Sequence, residues 1–121
     1  MNCCYNGISA IGQISYGELI KKPEIRDLIE TLTREFLLVA ELENVSITPE
    51  EAHHVNQQIA LTMAGQKSST AQDLTRKRKT EIEFLNGFIT RKAKEHGVYA
   101  PTHQAIFALV KMLELDLLNA K

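Results

Sequence analysis

Apolar residues recur at helical intervals along almost the whole chain, and no stretch alternates convincingly with the period of a strand. Ile25, Leu28, Ile29, Leu32, Phe36, Val39 and Ala40 fall at i, i+3, i+4 and i+7, one stripe of a helix expected at about residues 24–43. Pro23 suits the first turn of that helix, where its missing N–H costs nothing, and Glu24 sits at the positive end of the dipole. Thr48-Pro49-Glu50-Glu51 then reads as a capping box opening a helix over about 49–65, with Val55, Ile59 and Met63 on its stripe and Gly65 helping to end it. Ser68-Ser69-Thr70 offers another cap, for a short helix through about residue 76. A second capping box at Thr80-Glu81-Ile82-Glu83 predicts a helix that turns Ile82, Leu85, Phe88, Ile89 and Ala93 inward and stops at a left-handed Gly97. Pro101 opens the last helix, with Ala105, Ile106, Leu109, Val110, Leu113 and Leu117 on its face. The pattern predicts an all-α fold, a compact bundle of five to six helices in a single domain over residues 1–121.

Composition narrows what such a bundle does. Fourteen Lys and Arg against fifteen Asp and Glu leave a net charge of −1, which argues against a dedicated nucleic-acid or membrane-surface protein. No apolar run approaches the ~20 residues that span a bilayer, and the N-terminus lacks the order of a signal peptide. Cys3 and Cys4 are adjacent and offer no disulfide framework, so a reduced, cytoplasmic setting is expected. The glycines contain no G-x-G pair, which leaves out a dinucleotide fingerprint and a P-loop. No metal site is expected either. His53 and His54 are neighbours that cannot face one ion from the same helix side, and His96 and His103 have no Cys or carboxylate at ligand spacing.

Residues 2–13 stand apart, being apolar and small with two embedded amides and no charged face. As a helix this segment would need burial, and its abrupt start suggests that sequence is missing upstream. Asn2 and Asn6 are four apart and on a helix would share a face. They read either as a helix–helix hydrogen bond or cap, or as ligand-facing amides in a cleft. Ser68 and Ser69 read as caps or as ligand groups. Glu81 reads as a dipole complement or as a carboxylate tuned by a nearby cation. The run Arg76, Lys77, Arg78, Lys79 is a solvated helix end or a neighbour for an anionic ligand. As a nucleic-acid signal it is weak, because no aromatic interrupts it.

Taken in order, several segments resemble the C-terminal helical domain of ketopantoate reductases (2-dehydropantoate 2-reductases), whose fold is like that of the 6-phosphogluconate dehydrogenase C-terminal domain. These are Asn2-Cys3-Cys4-Tyr5-Asn6 with Ser9-Ala10, Gly17-Glu18-Leu19, Ser68-Ser69-Thr70-Ala71-Gln72-Asp73, Lys79-Thr80-Glu81-Ile82-Glu83, Leu85-Asn86-Gly87, His96-Gly97, Pro101 and Val110-Lys111. The resemblance implies NADP-dependent reduction of ketopantoate to pantoate, a step of pantothenate biosynthesis, with hydride passing to the ketone carbon and a lysine protonating the alkoxide. That lysine, four residues before the first asparagine, would fall before Met1. On one continuous helix it would share a stripe with Asn2 and Asn6, holding acid and amides rigidly together.

Carried over by position, Asn6 and Ser69 would hydrogen-bond substrate oxygens, Asn2 would support the site, and Glu81 would orient or charge-couple the lysine. NADP would be held mainly by an N-terminal Rossmann domain preceding this chain, which alone would be inactive. Gln66 departs from the asparagine that the family often has just before the paired serines, and relatives with this architecture reduce other 2-keto acids to D-2-hydroxy acids. The alternative from another class is a free-standing helical interaction module without catalysis. A homo-oligomer is expected, because the apolar face of residues 3–14 would otherwise be exposed.

Overall fold

A computed structural model describes the backbone of residues 2–119 and the side chains of residues 2–114. A 3-10 turn at Asn2–Cys4 leads into α1 (Asn6–Gly12), followed by the one-turn α2 (Tyr16–Leu19), α3 (Pro23–Leu42) and α4 (Pro49–Thr62). Then come α5 (Ser69–Thr75), a second 3-10 turn at Ile82–Phe84, α6 (Asn86–Glu95) and α7 (Pro101–Asn119). The all-α expectation holds among the described residues, with seven helices where five or six were expected. The additional one is α2, too short to leave a periodic signature. No helix is long and apolar enough to cross a membrane among the described residues.

Burial of α1 organises the rest. It packs against α5 and α7, while α6 and α3 also pack on α7. Residues 3–10 are buried by the chain's own helices, so the expectation that residues 3–14 leave an open apolar face fails; Ile11 and Gly12 alone of residues 3–12 are exposed. Gly7 makes the close approach possible, because a Cβ there would collide with Cγ2 of Ile106 on α7. Leu19, Leu32, Ile82 and Val110 are fully buried in the same core, each contributing ~1.5–3 kcal/mol of transfer free energy.

The Thr48 capping box forms as predicted: Thr48 Oγ1 accepts from Glu51 N–H and the Glu51 carboxylate accepts from Thr48 N–H, each at 3.1 Å. Gly65 plays no part in ending α4, whose last helical residue is Thr62. The exits of α1, α3, α5 and α6 follow one plan. Gln13, Asn44, Lys77 and Gly97 all have positive φ, and the residue after each donates its N–H to a carbonyl five positions back. Glycine signalled the last of these exits, while the other three carry side chains.

Two sequence expectations need correction. The box at Thr80-Glu81-Ile82-Glu83 does not form. Thr80 N–H and Thr80 Oγ1–H both donate instead to Glu114 Oε1, at 3.1 and 3.0 Å, from a carboxylate that is 3% exposed on α7. The helix expected there is split at Leu85 (φ −110°, ψ −101°), which resets the phase. Helix α6 then faces the core with Asn86, Ile89, Thr90 and Ala93, so Phe88 points outward. On α7 the buried face runs through His103, Ile106, Val110 and Glu114, flanked by Phe107 and Leu113, and leaves Ala105 and Leu109 exposed. The real stripe is anchored by two polar residues that an apolar count passes over; Leu117 lies outside the described side chains.

His103 is fully buried, and burial lowers its pKa, so the ring is neutral. Its Nε2–H donates to Leu32 O at 2.7 Å, because a carbonyl can only accept, and its Nδ1 therefore accepts from Asn86 Nδ2 at 3.0 Å. The same Nδ2 donates to Cys3 O at 2.8 Å, which ties the first turn to α6 and α7.

Two stability measurements check this packing. Gly7→Ala should destabilise by ~1–3 kcal/mol and Ile106→Ala by ~2–5 kcal/mol, with the double variant losing less than their sum in urea denaturation, since each relieves the other. Glu114→Ala should cost ~1–3 kcal/mol by stranding the Thr80 donors, and Glu114→Gln, which keeps an acceptor, should cost less.

Candidate functional site

Asn6, in the first turn of α1, is 4% exposed and held from two sides. Its Oδ1 accepts from the Tyr16 hydroxyl at 2.8 Å, and its backbone carbonyl accepts from Ser68 Oγ at 2.9 Å. Burial raises the Tyr16 pKa, so that hydroxyl keeps its proton and donates. With Oδ1 engaged, the Asn6 Nδ2 donors have no protein acceptor among the described residues. Tyr16 is itself braced edge-on against Tyr5, with ring centroids 5.7 Å apart at 78°.

Ser68 and Ser69 have opposite fates. Ser68 is 1% exposed and caps α5: its Oγ accepts from Ala71 N–H at 3.0 Å, while its own N–H donates to Ser9 Oγ at 3.0 Å. Ser9 Oγ passes the chain on by donating to Ile14 O at 2.7 Å. These bonds join the start of α5 to α1. Ser69, the next residue, is exposed at the first position of α5. The expectation of a cap is thus met by Ser68, and Ser69 is left open beside the carbonyl-bonded Asn6 turn.

Asn2 is exposed in the first 3-10 turn. A break at Tyr5 (φ −122°, ψ −42°) separates it from Asn6, so among the described residues the two amides do not lie on one continuous helix. Glu81 is exposed in the segment before the second 3-10 turn, directly after Thr80, whose two bonds to Glu114 fix its backbone to α7. Helix α1 and this turn both pack on α7, the element common to Asn6 and Glu81. The fold therefore bonds Asn6 to Ser68, the neighbour of Ser69, sets Glu81 beside a turn that packs on α7, and leaves Asn2 across the break at Tyr5. Arg76, Lys77, Arg78 and Lys79 are exposed in the turn leading to Glu81.

Sequence reading gave no role to the residues that hold these groups: Tyr16, Glu114 and Ser9, the last quoted only within the family motif. No spacing rule reveals these roles, since Tyr16 meets Asn6 ten residues back, Ser9 meets Ser68 and Glu114 meets Thr80 through tertiary contact. A groove of about 800 Å³ between α3 and α4, lined by Tyr5, Thr33, His53 and Asn56 among others, includes none of the four candidates. Chemically, Asn6 and Ser69 offer neutral donors and Glu81 an exposed carboxylate. The arrangement contains no nucleophile and base within hydrogen-bond reach, and no glycine-rich phosphate cradle.

Comparison with known proteins gives the family. Residues 1–114 match the family described as ketopantoate reductase PanE/ApbA C terminal. The 2-dehydropantoate 2-reductase of Vibrio cholerae is 32% identical over 114 residues, covering 94% of this chain and 38% of that protein. The crystal structure of a PanE/ApbA family ketopantoate reductase from Ralstonia eutropha superposes with a TM-score of 0.90 at 37% identity, over 96% of this chain and 39% of that one. A D-mandelate dehydrogenase solved with NADH and anilino(oxo)acetate gives 0.88 at 31% identity, over 96% of this chain and 65% of that one. The chain thus spans well under half the length of the curated relatives it matches. It belongs to the ketopantoate reductase C-terminal domain family.

Proposed function

We propose that this chain is the substrate-gripping half of an NADP-dependent 2-dehydropantoate 2-reductase, acting in a cytoplasmic, reducing setting. The observation that carries this reading is Asn6, buried and immobilised by Tyr16 and Ser68, with its amide donors left unclaimed beside an open Ser69. A preorganised donor of this kind binds a keto acid oxygen without a reorganisation cost. NADPH, held mainly by a Rossmann domain outside this chain, supplies the hydride that reaches the ketone carbon. The protein's remaining task is orientation and proton supply. Asn6 Nδ2 and Ser69 Oγ hold substrate oxygens, Glu81 orients a lysine carried outside this chain, and Asn2 supports the edge of the site. The chain alone, lacking that lysine, is inactive in this reading.

A related reading, reduction of another 2-keto acid to a D-2-hydroxy acid, is favoured by Gln66 and by the close structural likeness to D-mandelate dehydrogenase. Self-association belongs to the same proposal. Its support is now the large apolar side chains left exposed on the second 3-10 turn, α6 and α7, namely Phe84, Phe88, Leu109 and Met112.

A chimera joining the preceding segment of the Vibrio cholerae relative to this chain tests the reading. It should oxidise NADPH with ketopantoate, or with the keto acid of mandelate if the related reading holds, while the chain alone shows no turnover. A chimera that binds NADPH yet reduces neither acid overturns both. In an active chimera, Asn6→Ala should lower kcat/KM roughly ten- to a hundredfold, as loss of a hydrogen bond to a charged substrate does, and Ser69→Ala should lower it less. Sedimentation of the chain at tens of micromolar should show a dimer or larger species, and Phe84→Ser with Met112→Ser should shift it to monomer.

A further inference from the structure

Cys3 and Cys4 are adjacent and His103 lies about a hundred residues on, yet the fold brings one ligand atom from each within 4.8 Å of the other two. All three residues are buried, with Cys4 and His103 at 0% exposure and Cys3 at 5%. Neither cysteine is in a disulfide. The proposed substrate site uses none of them. Ordinary core packing does not require two thiols and an imidazole to converge.

The surrounding hydrogen bonds preset the imidazole for a ligand role. Nε2–H is committed to Leu32 O at 2.7 Å, which makes Nδ1 the nitrogen with the lone pair. Nδ1 shares the Asn86 Nδ2 donor with Cys3 O, so it lies on the side of the cysteines. A ring N–H donated to a backbone carbonyl is the outer-shell arrangement that metal-bound histidines use to fix tautomer and orientation. Thr33 Oγ1, 3.6 Å from Cys4 Sγ, already donates to Ile29 O at 2.7 Å and accepts from Asn56 Nδ2 at 3.0 Å, so the described residues offer an ion three ligand atoms.

We infer that Cys3 Sγ, Cys4 Sγ and His103 Nδ1 form a structural binding site for a thiophilic divalent cation, zinc(II) above all, which would clamp the first turn to α7. The donor set selects the ion. Two sulfurs and an imidazole suit zinc and disfavour magnesium or calcium, which demand oxygen. Charge points the same way: two thiolates and Zn2+ sum to zero, the state least costly to bury in an apolar core. On loading, both thiol protons leave to solvent, and Asn86 Nδ2 gives up its bond to Nδ1 while keeping Cys3 O. A core this closed admits the ion during folding.

Cobalt(II) is the probe. The purified chain is refolded from denaturant with Co2+ under reducing, chelator-free conditions, and far-ultraviolet circular dichroism verifies folding. The expected result is one equivalent bound per chain, a thiolate-to-cobalt charge-transfer band in the near ultraviolet, and the intense visible bands of tetrahedral cobalt. Zn2+ should bleach these bands and raise Tm. Cys4→Ser and His103→Gln should lose the charge-transfer intensity, while His53→Ala with His54→Ala on the exposed face of α4 should keep it. A folded wild-type chain with no charge-transfer band overturns the proposal, whether or not the variants fold. So does one ion per two chains, or a band that survives both Cys4→Ser and His103→Gln. All of these readouts are independent of reductase activity.

Discussion

An uncharged helix at the centre of a small bundle sets the terms for everything around it. Helix α1 has no polar face to offer water, so its neighbours must approach closely and satisfy the few polar groups it brings. Gly7 permits the approach of Ile106. Ser68 and Tyr16 bind Asn6 O and Asn6 Oδ1 on α1, and Asn86 binds Cys3 O in the turn before it. Leaving such buried groups unpaired would cost ~1–3 kcal/mol each, a large share of the stability of a domain this size. The same bonds that make burial tolerable also hold the Asn6 amide in place.

Packing and the placement of the candidate residues are therefore held by the same atoms. Ser68 and Ser69 show how narrow the division is. Successive residues entering a helix point about 100° apart, so one serine turns inward to cap α5 and grip α1 while the next faces out. Glu81 is arranged on the same principle. Its own side chain is free, and its backbone is fixed by its neighbour Thr80 through a buried carboxylate on α7. In both places the bonded residue stands one position before the exposed candidate, which fixes the candidate's backbone.

How much of this was legible follows from how far each signal reaches along the chain. Long stripes and local caps were readable: α3, the Thr48 box of α4 and the Ser68 cap depend on residues within a few positions of each other. The Thr80 box failed because Glu114, thirty-four residues on, outcompetes Glu83 for the same N–H. The face of α7 was mis-phased because His103 and Glu114, both polar, occupy its ends. Motif order identified Asn6, Ser69 and Glu81 as candidates, but the Tyr16 bond and the kink at Tyr5 arise from tertiary packing. The convergence of His103 on Cys3 and Cys4 is invisible to spacing rules, since those rules search within one segment.

The left-handed helix exits bear on how the chain can change. An L-residue in that conformation gives up ~1–2 kcal/mol that glycine would not. Gln13 recovers something for it, because its amide bridges α1 to α5 through Ala10 O, Ala71 O and the Thr75 hydroxyl. Asn44 and Lys77 make no such side-chain bond among the described residues. Their exits are reserves of thermal tolerance that a lineage adapting to heat can draw on, at positions away from the core and without repacking it.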